Sequence, residues 1–198
     1  MSSKNLFDVK HQLTFYGAYH SNSTNVMIHI RLIIASAQVM LAQLPVPSFL
    51  PSMHYVLSKY LIFDLNYSSI LAAVYLAYYY ILEPTAAFLY TPQFILSTLT
   101  ANAIAGGGHL QQIAALHGVC WVAQFVGHGV AEKRAPALLD NLVGAIVLAP
   151  FFVHLEMLFF LGYKPQMHKE LNNAVGVEIA RVKKAEGDKR RAAAAKVQ

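Results

Sequence analysis

Residues 84–131 form an uninterrupted stretch of 48 residues without a single Asp, Glu, Lys or Arg. Shorter charge-free stretches cover residues 32–58 and 65–82, and residues 141–163 contain one charged residue, Glu156. A formal charge at the centre of a bilayer costs a few kcal/mol on insertion scales, and about 20 apolar residues suffice for a helix to cross it. Stretches of this length and composition predict membrane-spanning helices and are too long for short core strands.

We therefore expect an all-α fold, an integral membrane helical bundle with four to five apolar helices, near residues 26–43, 65–82, 86–105, 109–131 and 141–162. The Pro-Val-Pro triplet at 45–47 and the Gly-Gly-Gly triplet at 106–108 are typical of turns between helices. If both chain ends face the cytosol, the number of crossings is even, so one of the five segments does not cross. The candidates are the first segment, the fourth, and the last, where Pro150 permits a helical hairpin.

Charge divides the chain into two predicted units, a membrane-embedded catalytic domain at residues 1–163 and a basic tail at 164–198. The first unit contains six Lys/Arg and six Asp/Glu, and the tail contains nine and four, so the tail holds the whole net charge of +5. Within the tail, residues 174–198 are expected to form a solvated or frayed helix. A basic tail beside an apolar body suits the cytosolic face of an anionic membrane better than nucleic acid, which we do not expect as a partner.

The amino-terminal segment lacks the pattern of a signal peptide, because its first 25 residues are polar and include charged residues. Residues 7–19 are amphipathic at helical spacing and predict a helix that lies on the membrane surface or caps the bundle. The single cysteine, Cys120, excludes an intramolecular disulfide framework and a cysteine-based zinc cluster.

The nine histidines are the main candidates for chemistry in so apolar a chain. Three of them, His109, His117 and His128, fall within or beside the long charge-free stretch, and His20 and His29 bracket the start of the first apolar segment. Ionisable groups at membrane depth normally face the bundle interior or a wet cavity and mark functional positions. Each histidine taken alone is also compatible with an ordinary hydrogen-bonded core position.

His128 and Glu132 are four residues apart, so in a helix both side chains lie on one face. An imidazole and a carboxylate so placed could bind one cation together, or Glu132 could orient the ligand; a salt-bridged helix end is the alternative. His117 is eleven residues before His128, about 16 Å along a helix axis, so one metal cannot bind both unless the helix breaks. His20 and His29 come from a different segment and could meet His128 in space. Such nitrogen and oxygen ligands suit iron, zinc, manganese or copper, and histidines with a carboxylate are the pattern of non-haem Fe(II) oxygenases.

Two separated segments resemble the signatures of one known family. FYGAYH at 15–20 and NVMIH at 25–29 are similar to its amino-terminal signature, and WVAQFVGHGVAEKRAPALLDNL at 121–142 is similar to its central signature. LAPFF at 148–152 and LGY at 161–163 follow in the expected order. The resemblance covers about residues 6–164 and is to the fungal and bacterial 2-hydroxy fatty acid dioxygenases, whose yeast member acts in phytosphingosine breakdown at the endoplasmic reticulum.

The resemblance implies an Fe(II)-dependent membrane enzyme that cleaves the C1–C2 bond of a 2-hydroxy fatty acid with O2 and yields a fatty acid one carbon shorter. By position, His20, His29 and His128 would be the metal-associated histidines, and His117 matches a further family histidine. We expect Glu132, Lys133 and Arg134 to act in catalysis, one of the two cations holding the substrate carboxylate. The implied location is the endoplasmic reticulum membrane with a cytosolic tail, so the lipid bilayer is an expected partner. Ala131, which replaces a common aromatic, and a longer, Pro-rich loop at 44–65 depart from the family pattern.

Two other classes of protein use similar residues. A bis-histidine haem protein of the membrane would present the histidines as axial ligands. A transporter or scaffold without enzymatic activity would use them as proton relays or as core contacts.

Overall fold

The computed structural model describes residues 6–19, 32–126, 129–130 and 142–195, and these form a mostly helical bundle. The described elements, in chain order, are α1 (Val9–Tyr19), α2 (Leu32–Ala42), β1 (His54–Ser58), β2 (Leu61–Asp64), α3 (Tyr67–Leu82), α4 (Pro84–Ala105), α5 (Leu110–Val126), α6 (Leu142–Phe160) and α7 (Pro165–Ala195). Each of the five apolar segments predicted from the sequence coincides with one of the helices α2 to α6, although α4 begins two residues before its predicted segment. The segment positions were therefore largely correct, although α2 and α5 are shorter than predicted where described.

The prediction of an integral membrane bundle was wrong. No helix in the described part of the chain is both long enough and apolar enough to cross a bilayer. The helices α2, α3 and α5 have 11, 16 and 17 residues, fewer than the roughly 20 that a crossing needs. The 22 residues of α4 suffice in number, but they include uncharged polar residues such as Gln93 and Asn102. A stretch without formal charges is therefore not necessarily apolar.

The all-α expectation also missed a two-stranded antiparallel sheet formed by β1 and β2. The strands lie inside the region 44–65, which the sequence predicted as a loop. Tyr55 pairs with Phe63 and Val56 with Ile62, and a register irregularity follows Val56. The ring centroids of Tyr55 and Phe63 are 6.2 Å apart, so the sheet has the aromatic cross-strand pairing that stabilises short hairpins.

The α3–α4 junction shows how single residues set the helix ends. The side chain of Asn66 caps the start of α3 by accepting a hydrogen bond of 3.1 Å from the Ser69 backbone N–H. Pro84 occupies the first position of α4, where its missing N–H costs nothing. The residue before a proline is restricted to extended conformations, and Glu83 accordingly adopts φ −152° and ψ 90° between the two helices.

The main core lies where α1, α3, α4, α6 and α7 meet, and it is rich in aromatic side chains. Tyr79 of α3 is fully buried, stacks on Phe151 of α6 at a centroid distance of 4.4 Å, and donates a hydrogen bond of 2.6 Å to the Val147 carbonyl. Burial raises the pKa of the Tyr79 hydroxyl well above its ordinary value of 10.0. This phenol therefore remains a hydrogen-bond donor throughout the physiological pH range.

The amphipathic segment predicted at 7–19 forms α1, which packs against α6 and α7 and buries Leu13 and Tyr16. Gly17 permits the close approach of α1 and α7, because a Cβ at this position would lie 2.8 Å from Cγ2 of Val175. The exposed ion pair of Lys10 with Glu170, at 3.0 Å, joins the same two helices.

The region predicted as a solvated or frayed helix at 174–198 continues the single 31-residue helix α7 as far as Ala195. Leu171 of α7 is buried in the main core, and Val175 packs against it. Beyond these contacts the helix is mostly exposed.

Candidate functional site

The helices α2 and α5 form an antiparallel pair beside the main core. Immediately after α2, the side chain of Gln43 donates a hydrogen bond of 2.6 Å to the carbonyl of Ala105, the last residue of α4 and five positions before α5 begins. Seven residues earlier in the chain, Ser36 contacts His117, which lies seven residues after the start of α5. The two helices therefore run in opposite directions, and the start of α2 lies at the same end of the pair as the end of α5.

His117 is the one predicted site residue in the described part of the chain, and both of its ring nitrogens have hydrogen-bond partners. The indole N–H of Trp121 lies 2.9 Å from Nε2, and the Ser36 hydroxyl lies 2.8 Å from Nδ1. Because an indole N–H can only donate, Nε2 must accept, and the proton of a neutral imidazole is then on Nδ1. Nδ1 donates to Ser36, whose hydroxyl donates to the Ile33 carbonyl at 3.1 Å. This chain of hydrogen bonds, the His117 relay, joins α5 to the first turn of α2.

A metal ion at His117 would have to replace one of these two hydrogen bonds. The end of α5 at Val126, which His128 follows in the sequence, lies nine residues beyond His117, or about 14 Å along the helix axis. The assignment of His117 as a metal ligand stays a prediction.

The other predicted site residues, His20, His29, His128, Glu132, Lys133 and Arg134, lie outside the described residues. Within residues 6–19, 32–126, 129–130 and 142–195, no group of three or more His, Cys, Asp or Glu side chains could hold a metal ion. The ends of the described helices nevertheless flank three of the histidines in sequence: α1 ends one residue before His20, α2 begins three residues after His29, and α5 ends two residues before His128.

A groove of about 310 Å³ lies between α2 and α4. Its wall is mainly apolar and contains no charged residue; it includes Ala35 and Val39 of α2, and Ser97, Thr100, Ala101 and Ile104 of α4. Beside it, the Ser97 hydroxyl donates a hydrogen bond of 2.6 Å to Gln38 Oε1. The amide nitrogen of Gln38 in turn donates to the Thr98 hydroxyl at 2.9 Å. Gln38 of α2 is thus hydrogen-bonded to both Ser97 and Thr98 of α4.

Two buried ionisable residues were missed by the sequence reasoning. His154 of α6 is 6% exposed, lies with its ring centroid 4.5 Å from that of Tyr90, and donates from Nε2 to the Ala86 carbonyl at 3.1 Å. Glu83 is 8% exposed and accepts hydrogen bonds from the Tyr163 hydroxyl at 3.0 Å and from Lys164 Nζ at 2.9 Å. The signal for both was their position within or beside strongly apolar segments, where an ionisable side chain needs a partner.

These contacts have structural consequences. The Glu83 carboxylate beside Lys164 raises the pKa of that ammonium group above its ordinary value of 10.5. Glu83 thereby links the α3–α4 junction to the turn between α6 and α7. His154 fastens α6 to the first turn of α4. We assign neither residue to chemistry.

Comparison with known proteins defines the class to which this helical bundle belongs. Residues 6–161 match the family model described as "2-hydroxy-palmitic acid dioxygenase Mpo1-like", and the chain is a member of this Mpo1-like family. A particular relative is the 2-hydroxy-palmitic acid dioxygenase MPO1 of Saccharomyces cerevisiae, which is 33% identical over 174 residues. That alignment covers 87% of this chain and 92% of the yeast protein. None of the solved structures is a significant match. The family suggested by the sequence signatures is thereby confirmed.

Proposed function

We propose that this protein is a dioxygenase that cleaves the C1–C2 bond of 2-hydroxy fatty acids and releases a fatty acid one carbon shorter. The observation that carries the proposal is the similarity to the yeast 2-hydroxy-palmitic acid dioxygenase, which extends over 92% of that protein. The family match over residues 6–161 includes both signature segments, at 15–29 and at 121–142, so the likeness is not confined to a local motif.

We further propose that His20, His29 and His128 bind Fe(II). Imidazole nitrogens are suitable ligands for iron, and three of them leave coordination positions for substrate and O2. The antiparallel pairing of α2 and α5 supports the pairing of His29 with His128, because the start of α2 at Leu32 and the end of α5 at Val126 lie at the same end of the helix pair. When bound, the iron would supply the activation of O2 that an organic side chain cannot provide.

The remaining roles fall to residues that follow His128 in the sequence. Glu132 stands four residues after His128, a spacing at which a carboxylate can orient a ligating imidazole through a hydrogen bond. Lys133 and Arg134 are cations suited to the substrate carboxylate, and a guanidinium can bind it through two parallel hydrogen bonds. Fixing the carboxylate would hold the bond to be cleaved in one orientation during the reaction.

The proposed reaction balances without an external reductant. A 2-hydroxy acid and one O2 contain the atoms of the shortened acid, one CO2 and one water. The C1–C2 bond breaks, C2 is oxidised from a secondary alcohol to a carboxylic acid, C1 leaves as CO2, and O2 is the oxidant that is reduced. Oxygen uptake should therefore equal product formation with no added electron donor.

We propose that the protein acts at the endoplasmic reticulum membrane, in contact with its cytosolic surface. The net charge of +5 in residues 164–198 supports this, because the cytosolic leaflet is anionic and attracts lysine and arginine. Co-flotation with phosphatidylserine vesicles, but not with neutral phosphatidylcholine vesicles, is the expected result. Equal flotation with both, or with neither, would contradict this part of the proposal.

The proposed activity is tested by purifying the protein anaerobically, measuring its iron content, and following oxygen uptake after addition of 2-hydroxypalmitate. We expect stoichiometric iron and the release of pentadecanoate. His128→Ala should lose both, while His109→Ala, at an exposed position before α5, is the matched control and should keep both. A Soret band would indicate the haem alternative, and protein without iron or oxygen uptake would indicate a transporter or scaffold.

A further inference from the structure

The groove between α2 and α4 has a geometry that suits one part of the proposed substrate. Its wall is mainly apolar and uncharged, and its volume of about 310 Å³ is at the lower end of the range for small-molecule sites. We propose that this groove binds the acyl chain of the 2-hydroxy fatty acid and sets the chain length that the enzyme prefers. The inference rests on the proposed function and deepens it.

The chemistry of the wall favours a hydrocarbon over a polar ligand. Val39 and Ala101 are 4% and 3% exposed and lie on the two helices that form the groove. Leu96 and Ile104 also line it, and they are 53% and 36% exposed. The hydroxyl of Ser97, one of the polar groups lining the groove, is hydrogen-bonded to Gln38. An acyl chain would cover exposed apolar surface here without demanding a polar partner.

The groove runs from the start of α2, the helix that begins three residues after His29 in the sequence. The contacts of Gln38 with Thr98, and of Gln43 with Ala105, show that α2 and α4 run parallel. Among the lining residues, Ala35 is nearest the start of α2, only three positions after Leu32. From there the groove leads away toward Ile104. A substrate with its carboxylate near the start of α2 would thus extend its tail toward Ile104.

The length of the groove makes it suitable for measuring chain length. Its lining on α4 extends from Gln93 to Ile104, which is eleven positions later and about 17 Å further along the helix axis. Thr100 lies four residues before Ile104, about 6 Å closer to the start of α2. A bulky side chain at position 100 should therefore exclude more of a long acyl chain than one at position 104.

The test is a pair of obstructing substitutions, Thr100→Phe and Ile104→Trp. Burial of one methylene changes affinity about fourfold, so a phenyl ring that displaces three methylenes should lower kcat/KM for 2-hydroxypalmitate about sixtyfold relative to 2-hydroxydecanoate. Ile104→Trp should displace about one methylene and change the same ratio about fourfold. The control, Ile95→Phe, adds the same ring to α4 at a 47% exposed position outside the groove and should leave the ratio unchanged.

A binding measurement separates failure of the groove from failure of the proposed function. Palmitate with a photoreactive diazirine near its methyl end should label α4 around residues 100–104 in the wild type, and Thr100→Phe should abolish this labelling. Labelling confined to other helices, or a chain-length ratio unaltered in both groove variants of an active enzyme, would overturn the groove assignment. Wild-type protein that is labelled in the groove but consumes no oxygen would refute the proposed activity and keep the fatty-acid site.

Discussion

The His117 relay predicts a graded loss of stability when the imidazole is replaced. His117 links Trp121 in its own helix to Ser36 of α2, and Ser36 links to the Ile33 carbonyl. We consider three substitutions: His117→Ala, which removes both hydrogen bonds of the ring; His117→Asn, which can still donate to Ser36; and His117→Gln, which can still accept from Trp121.

The size of the effect follows from the number of partners left unpaired. A typical hydrogen bond contributes about 1 kcal/mol, and a partly buried donor left without an acceptor costs more. His117→Ala should therefore lower the free energy of unfolding by about 2–3 kcal/mol. His117→Asn and His117→Gln should each lower it by about 1 kcal/mol, because each preserves one of the two hydrogen bonds.

The chain contains a single tryptophan, Trp121, which is itself a member of the relay. Its fluorescence during urea unfolding therefore reports directly on this helix pair. Leu116→Ala is the control, since Leu116 lies on the same helix and is 40% exposed. It should change the free energy of unfolding by less than about 0.5 kcal/mol.

Two results would refute the relay. The first is a stability loss for His117→Ala no larger than that of Leu116→Ala. The second is a pair of Asn and Gln variants as unstable as the Ala variant.

Iron content, measured on the same samples, tests whether His117 is a metal ligand. If His117→Gln loses iron stoichiometrically at nearly wild-type stability, His117 is a ligand and the hydrogen-bonded state does not describe the loaded enzyme.

Three further predictions concern the scaffold around the site. Burial raises the pKa of Glu156 above its ordinary value of 4.5, so the ionised carboxylate destabilises the fold. Glu156→Gln should therefore raise the free energy of unfolding in urea at neutral pH. This gain should vanish as the pH falls below about 4.5, where the carboxyl group is protonated in the unfolded chain as well. Glu83→Ala removes the hydrogen bonds that Glu83 accepts from the half-exposed Lys164 and from Tyr163. Calorimetry should show a Tm lower by about 5–10 °C. An unchanged Tm would show that these contacts do not stabilise the α3–α4 junction. Tyr79→Phe removes the hydrogen bond to Val147 and should cost about 1 kcal/mol in urea unfolding; no loss would mean that this hydrogen bond does not contribute to stability.

The sequence predicted helix positions well where turn-forming prolines or glycines mark the end of a helix. The Pro-Val-Pro triplet at 45–47 follows the end of α2, and the glycines at 106–108 separate α4 from α5; both effects are local and act through the backbone. The membrane prediction failed because it counted formal charges. Residues such as Gln93 and Asn102 carry none, yet they are polar, and α4 is not apolar enough to cross a bilayer.

Features that depend on distant pairs were beyond the sequence reasoning. The partner of His117 is 81 residues away in the chain, and the two helices that form the groove meet through Gln38 and Thr98, which are 60 residues apart. The hairpin of β1 and β2 lacks a strong turn signal such as Asn-Gly, and its apolar strands are four and five residues long. Of the candidate site, the sequence supplied residue types and family likeness, while the neighbours of His117 required coordinates.

The packing of α1 against α7 has a consequence for biosynthesis. Lys10 and Glu170 are 160 positions apart, and the backbone of Gly17 packs closely against Val175 of α7. The apolar face of α1 therefore stays uncovered after its own synthesis until the residues as far as α7 have also been translated. Holding nascent chains on stalled ribosomes at successive lengths should show protease protection of α1 appearing only after α7 has left the exit tunnel.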